Sequence, residues 1–207
     1  YTAAQLQPVF GELIGRRTAQ LREELGCPPD FTVVELGAGR GEMAAAFRGY
    51  RYAPVEAGGG GWPERFTGLV FSNEFFDALP VHVAERRGRE FRQMLVDFRE
   101  GRFVWAAGPP VEGEEAEYLA RYAGQLPDGG RVEVNLEALG WIDEIARRLE
   151  RGFVLTIDYG YTARELAAFP SGSLMSYRRH TALEDVLSGP GDRDITAHVC
   201  FTALEDR

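Results

Sequence analysis

The chain has 207 residues, 44% of them hydrophobic, which is enough to bury one good core. Its formal net charge of −9 disfavours nucleic acid or an anionic membrane surface as the main partner. All 23 basic residues are arginine, which excludes lysine nucleophiles and lysine-dependent phosphate loops. Cys27 and Cys200 stand alone, so we expect no metal site, no disulfide framework and a reducing compartment. No apolar run is long enough to span a bilayer.

The first third of the chain alternates between helical and extended patterns. Apolar residues at near-helical spacing predict a helix over 6–25, with Gly26 as its cap. Strands are predicted at 31–36, 52–56 and 68–72. A short helix over 41–47 follows the first strand, and the glycines at 58–61 form a loop. The chain does not begin with Met, so we treat it as a piece of a longer protein.

The rest of the chain changes its periodicity twice. Alternating apolar residues around glycine turns predict an antiparallel meander over 81–105, inserted into the fold. Helices over 113–123 and 136–150 follow, and then come a buried strand, 153–157, and tail strands at 173–177 and 195–204. Strands that alternate with helices predict a single α/β domain over 1–207, whose mostly parallel sheet has helices on both faces.

A glycine-rich turn at residues 37–41 follows the first predicted strand. Glycine at Gly37, Gly39 and Gly41 lets a ligand lie against the backbone, and the start of the next helix offers N–H groups. Glu42 stands where a dinucleotide fingerprint has its last glycine, which disfavours a nicotinamide oxidoreductase. Because a carboxylate suits a cationic ligand, we predict S-adenosylmethionine. The alternative is an ordinary turn in another α/β protein.

Acidic residues end the other predicted strands, at the edge of a parallel sheet where ligands bind. Glu56 lies 19 positions after Gly37, which is the place of the carboxylate that binds ribose hydroxyls. Glu35 either caps the turn or binds the ammonium group of the ligand. Glu74 and Asp77 would face one pocket if their segment turns helically, and could then hold a guanidinium; the alternative is a helix cap.

Four further polar positions are weaker candidates. Asp158 and Tyr159 follow the best strand and either line the target side or cap the strand end. His180 and His198 are candidate acid–base groups, although each alone is more typical of a structural histidine.

Five segments together resemble the MidA family of S-adenosylmethionine-dependent methyltransferases, which are related to a mitochondrial assembly factor of NADH dehydrogenase (complex I). Two are specific: Asn-Glu-Phe-Phe-Asp-Ala-Leu-Pro at 73–80 and Asp-Ile-Thr-Ala-His at 194–198. The others lie at 10–15, 34–41 and 157–161. The resemblance implies a seven-stranded class I methyltransferase fold of Rossmann-like topology. For the mitochondrial relatives it implies protein arginine methylation of a complex I subunit.

The resemblance also implies roles for individual residues. Cofactor binding falls on seven positions at the ends of the predicted strands: Glu35, Gly37, Ala38, Gly39, Gly41, Glu56 and Asn73. Glu74 and Asp77 are placed beside the methyl-transfer site as the catalytic pair. The implied partner is a protein substrate such as a respiratory complex I subunit, with no nucleic acid or membrane partner. The lysine-free composition favours a bacterial cytoplasmic protein; a eukaryotic one would lie in the mitochondrial matrix.

The chain departs from the family pattern after Glu56. Only residues 57–66 separate it from Thr67, where the family has a longer segment with a helix and a strand that helps to enclose adenine. Trp62 or Phe66 would then have to stack on the adenine. This departure favours the alternative function, a non-catalytic binding or assembly protein on a methyltransferase scaffold, with the 81–105 meander as its docking surface.

Overall fold

The structure, a computed structural model, describes residues 8–58, 60–178, 181–183 and 185–207. Its helices are α1 (Pro8–Glu24), α2 (Gly113–Tyr122), α3 (Leu136–Arg148) and α4 (Phe201–Glu205). Short 3₁₀ turns lie at Ala44–Phe47 and Leu166–Ala168. The first strands are β1 (Thr32–Leu36), β2 (Arg51–Val55), β3 (Phe66–Asn73), β4 (His82–Arg87), β5 (Glu90–Arg99), β6 (Arg102–Pro110), β7 (Arg131–Val134) and β8 (Leu149–Ile157). Shorter strands follow: β9 (Gly160–Tyr161), β10 (Met175–Arg178), β11 (Thr181–Leu183), β12 (Asp194–Thr196) and β13 (Val199–Cys200).

The described residues form two compact units. The first runs to Phe75 and includes Trp141–Asp158; the second contains Phe76–Gly140 and Tyr159–Arg207. The boundary therefore divides the 73–80 segment between Phe75 and Phe76, and α3 begins in the second unit and ends in the first. A single domain over 1–207 stays a prediction.

The first unit is built on a parallel sheet with the strand order β2-β1-β3-β8. All five residues of β1 are buried, as expected for a central strand covered on both faces. One side packs against α1 and the Ala44–Phe47 turn through a cluster that includes Ile14, Phe47 and Phe71. Parallel strands all end at one edge of such a sheet, so β1, β2 and β3 place Glu35, Glu56 and Asn73 at or near that edge.

The second unit is built on an antiparallel sheet with the strand order β6-β5-β4-β7. The predicted meander is confirmed as β4, β5 and β6, and β7 extends it by pairing with β4. Its core contains Leu119 of α2, Leu126 and Val132. Two small sheets complete this unit: β10 pairs with β11 and β12, and β13 pairs with β9.

Two predictions of this part of the fold differ from the structure. Within the described residues the parallel sheet has four strands rather than seven, because β4 and β7 pair antiparallel with each other. The short connection predicted after Glu56 agrees with the structure: no strand lies among the described residues between Val55 and Phe66, since a parallel crossover needs about a dozen residues or more. The predicted helix over 41–47 is only the 3₁₀ turn Ala44–Phe47, so the turn has no α-helix N-terminus to bind a ligand.

The predicted strand over 195–204 was also wrong. It divides into β12, β13 and α4, because the backbone between the two strands bonds elsewhere. The N–H of Ala197 donates to the carbonyl of Asp77 at 2.9 Å, and that of His198 donates to Ser173 Oγ at 2.9 Å. None of the helices in the described part of the chain combines the length and apolar character needed to cross a membrane.

The close approach of β1 and β3 gives a direct test of this sheet. A Cβ added at Gly68 would overlap the carbonyl oxygen of Thr32, whereas a Cβ at Gly140, exposed on α3, meets nothing within 4 Å. We expect Gly68→Ala to lower the free energy of unfolding by about 3 kcal/mol or more. The matched control Gly140→Ala should raise it by about 0.5–1 kcal/mol through helix propensity. Urea denaturation measures both, and equal effects would contradict the strand pairing.

Candidate functional site

The turn after β1 is a stretch of bare backbone whose glycines are required by geometry. Gly37, Gly39 and Gly41 have φ of +66°, +56° and +78°, in the left-handed region that favours glycine. The N–H of Gly37 donates to the carbonyl of Val55 at 2.8 Å, which ties the turn to the end of β2. A Cβ on Gly37 would lie 2.8 Å from the ring of Phe75. A side chain at this position would therefore displace the turn from its support.

Glu56 closes the turn from the neighbouring strand. Its Oε1 accepts a hydrogen bond from the N–H of Gly39 at 2.8 Å, while the side chain stays exposed. Glu42 folds back on the same turn and accepts from the N–H of Arg40 at 3.1 Å. The structure thus brings together the predicted residues of the turn and the predicted ribose carboxylate. Ala38, between the glycines, is buried beneath them.

Glu35 lies beneath the turn with only 4% of its surface exposed. Its Oε2 accepts a hydrogen bond at 2.5 Å from the hydroxyl of Tyr52 on β2. Burial is the largest cause that raises the pKa of Glu35 to about 7; the Tyr52 bond opposes this, and Glu42 and Glu56 add to it. Burial and the bond to Glu35 also raise the pKa of Tyr52. Sequence reasoning missed Tyr52, whose only signal was a hydroxyl in an otherwise apolar strand.

Asn73 and Glu74 lie where β3 ends beside β8. Asn73 pairs with Ile157, and the N–H of Glu74 donates to the carbonyl of Ile157 at 2.9 Å. Glu74 has φ of +51°, a left-handed conformation that is rare outside glycine. The segment after it is not helical, so the prediction that Glu74 and Asp77 share a helical face was wrong. They belong to different compact units.

Asp77 is buried in the second unit, 5% exposed. It lies at the wall of a mostly apolar cavity of about 550 Å³, lined by parts of 77–83, 93–96 and 195–197. Its carbonyl accepts the Ala197 N–H, so both of the family-specific segments, 73–80 and 194–198, contribute to this wall. Joining them is a role for the 194–198 segment that its sequence did not reveal.

A buried carboxylate that sequence reasoning missed anchors the same wall. Glu133 is 4% exposed and accepts hydrogen bonds from the N–H of Ser173 at 3.0 Å and from its hydroxyl at 2.7 Å. Ser173 Oγ in turn accepts from the N–H of His198. The ring of His198 packs edge-on against Phe169, with centroids 5.1 Å apart. His198 therefore has a structural setting, whereas His180 lies outside the described residues.

The remaining candidates are Asp158 and Tyr159 after β8, and Phe66 at the beginning of β3. Asp158 follows β8, and Tyr159 is exposed while its carbonyl accepts the N–H of Val199. Phe66 is buried at the beginning of β3, the end of the sheet opposite Glu56, so its predicted stacking on adenine was wrong. Among the described residues, no group of three or more His, Cys, Asp or Glu side chains could hold a metal ion.

Comparison with known proteins identifies the family. A family model described as "Putative S-adenosyl-L-methionine-dependent methyltransferase" matches residues 59–207. The chain belongs to this family. Its cofactor is S-adenosylmethionine, and the bare turn, the exposed Glu56 and the buried Glu35 offer a fitting cradle for a ligand with a ribose and two cationic groups.

Relatives and a solved structure extend the match to the glycine turn. A crystal structure from Burkholderia thailandensis, bound to S-adenosyl-homocysteine, is 31% identical with a TM-score of 0.86, and covers 99% of this chain and 61% of that one. The mitochondrial "Protein arginine methyltransferase NDUFAF7 homolog" of Drosophila melanogaster is 25% identical over 97% of this chain and 57% of its own length. The "Protein arginine methyltransferase NDUFAF7, mitochondrial" of Bos taurus is 33% identical over an alignment that covers 69% of this chain and 31% of its own length.

This methyltransferase-family chain is shorter than the proteins it matches. It spans 57% of the Drosophila relative, and that alignment runs over 263 positions against the 207 residues here. The relative therefore carries insertions within the matched region. A shortened connection after Glu56 agrees with this difference in length.

The raised pKa of Glu35 predicts how stability depends on pH. The folded state binds the proton of Glu35 more tightly than the unfolded state does. The contribution of Glu35 to the free energy of unfolding is therefore fully present below the ordinary pKa of 4.5 and is lost as pH rises through about 7. At pH 8 we expect Glu35→Gln, which mimics the neutral acid, to be more stable than the parent by about 1–3 kcal/mol. This advantage should shrink towards pH 5. Urea denaturation at each pH tests it, with the exposed Glu64→Gln as control; parallel profiles for parent and Glu35→Gln would contradict it.

The backbone of Glu74 makes a second, independent prediction. Glycine tolerates φ of +51° without the steric cost of a side chain, so Glu74→Gly should raise the free energy of unfolding by about 0.5–1 kcal/mol. Glu74→Ala keeps the strained conformation and should bring no such gain. Denaturant titration of the pair isolates the backbone contribution, because both variants lose the same carboxylate. Equal stabilities would show that the conformation carries no strain.

Proposed function

We propose that this chain transfers a methyl group from S-adenosylmethionine to an arginine side chain of a protein. The observation that carries the methyltransferase part is the bare Gly37–Gly41 backbone, closed by the Glu56–Gly39 hydrogen bond. Support for arginine as the target comes from the mitochondrial relatives, which are named protein arginine methyltransferases.

The charges around the turn suit this cofactor. The negative charges of Glu42 and Glu56 both contribute to raising the pKa of Glu35. When bound, the cofactor supplies an electrophilic methyl group on a positively charged sulfur. We assign Glu56 to the ribose hydroxyls and Glu35 to the ammonium group, with Gly37, Ala38, Gly39, Gly41 and Asn73 along the ligand. Ionisation of Glu35 would then accompany binding, because a cation favours the carboxylate.

Glu74 and Asp77 are our candidates for the substrate side. A guanidinium keeps its proton near neutral pH, because its pKa exceeds about 12. The role of a carboxylate is therefore to hold the guanidinium and orient one nitrogen towards the methyl group, rather than to remove a proton first. The strained backbone of Glu74, tied to Ile157, is a preorganised position for such a group.

A second candidate function is a binding or assembly protein on the same scaffold. The observation that favours it is an apolar face on the β5–β6 hairpin, where Val96, Phe98 and Phe103 are exposed by 51%, 61% and 41%. Phe98 and Phe103 form a cross-strand pair with centroids 5.2 Å apart. Exposed apolar residues of this kind are typical of interaction surfaces. A complex I subunit as partner and a bacterial cytoplasmic location stay predictions.

A substitution at Glu74 tests the catalytic assignment. We expect Glu74→Gln to lower methyl transfer by 100-fold or more, on the order of 3 kcal/mol in the barrier, because a neutral amide no longer holds the guanidinium. Its affinity for S-adenosyl-homocysteine should change less than about threefold, a difference below 1 kcal/mol. Transfer is measured from labelled S-adenosylmethionine to arginine-containing peptides, with arginine-to-lysine peptides as control.

The outcomes of this experiment separate the two functions. Loss of both activity and cofactor affinity in Glu74→Gln would show that Glu74 is structural. Absence of S-adenosyl-homocysteine binding by the parent chain at millimolar concentration would leave only the assembly function.

A further inference from the structure

The short segment after Glu56 returns directly to the strand that it left. Gly61 has φ of +93°, and a Cβ there would lie 2.5 Å from the carbonyl oxygen of Pro54. Pro54 is the penultimate residue of β2, an edge strand of the parallel sheet. The backbone that leads into Trp62 is therefore packed against the carboxyl end of β2. The contact is at Pro54, two residues before the ribose candidate Glu56.

Trp62 is held in place despite the glycines that precede it. The guanidinium of Arg148 lies 5.7 Å from the centroid of its ring. Arg148 Nη1 also donates to the carbonyl of Pro63 at 3.1 Å, which fixes the backbone next to Trp62. The centroid of the Trp141 ring is 6.0 Å from that of Trp62, and the two planes are tilted by 33°. The aromatic ring at Trp62 is thus anchored by contacts on both its side chain and the backbone that follows it.

Trp62 is the outer member of a row of three aromatic rings that begins at the glycine turn. Phe75 lies against Gly37, and its ring meets Trp141 edge-on with centroids 4.9 Å apart. Phe75 and Trp141 are 5% and 6% exposed, so little of their ring surface is accessible. Trp62 is half-buried and is therefore the most accessible of the three rings.

We propose that Trp62 is the platform on which the adenine ring of the cofactor stacks, in place of the strand and helix that this chain lacks. The proposal rests on the proposed function, since it assumes that Glu56 binds the ribose. Adenine is a planar π-system attached to that ribose, and an indole is the largest face that a protein offers for stacking. Such stacking tolerates variation in the ring that provides it but requires an aromatic side chain.

The test is calorimetric titration of S-adenosyl-homocysteine into the parent chain and variants at Trp62. We expect Trp62→Phe to keep the affinity within about threefold and Trp62→Ala to weaken it about 10- to 100-fold. Trp62→Leu keeps the apolar volume but has no aromatic face, so its affinity should be as low as that of Trp62→Ala. This variant separates the loss of stacking from any folding defect of the alanine variant. The matched control Trp105→Phe, in the second unit, should bind like the parent. Binding should also quench tryptophan fluorescence in the parent but much less in Trp62→Phe.

Each result is decisive. Parent-like affinity in both Trp62→Ala and Trp62→Leu would overturn the platform. Tighter binding in Trp62→Ala would also overturn it, because the indole would then occupy the adenine position itself. Absence of binding by the parent, by contrast, would be a failure of the proposed function rather than of Trp62 alone.

Discussion

The candidate site depends on the conformation of the glycine-rich turn at residues 37–41, which follows β1. It is fixed from three sides: by the carbonyl of Val55, by the carboxylate of Glu56 and by the ring of Phe75. The contact with Phe75 leaves no room for a side chain at Gly37, and left-handed φ at alternate positions favours glycine. These contacts connect β1, the end of β2 and the segment after β3, so forming the parallel sheet also forms the turn.

Burial beneath this turn changes the acid–base behaviour of Glu35 on β1. A carboxyl on a strand of a parallel sheet loses water, and Tyr52 replaces only part of that hydration for Glu35. The site therefore holds one carboxyl that titrates near neutral pH beside two exposed ones that bind the turn. A cation at this place relieves the electrostatic cost, which is why a sulfonium ligand suits it better than a pyrophosphate.

The connection between β2 and β3 determines what lies along the edge of the parallel sheet. Ten residues are too few to add a strand beside β2, so the chain returns along its edge and places Trp62 against Trp141. The guanidinium of Arg148 lies 5.7 Å from the centroid of the indole and binds the carbonyl of Pro63. These contacts hold Trp62 where the connection passes the end of β2.

The sequence by itself determined the local elements: α1, the strand before the turn, the position of Glu56 after β2 and the β4–β6 meander. Their signals are short-range, because hydrophobic period, glycine spacing and turn residues act within one element. Tertiary structure alone decided that Tyr52 bonds Glu35, that Glu133 anchors Ser173, and that residues 73–80 leave β3 without a helix. Those outcomes depend on pairings between distant segments, such as Glu74 with Ile157 and Asp77 with Ala197, whose backbone bonds override local preference.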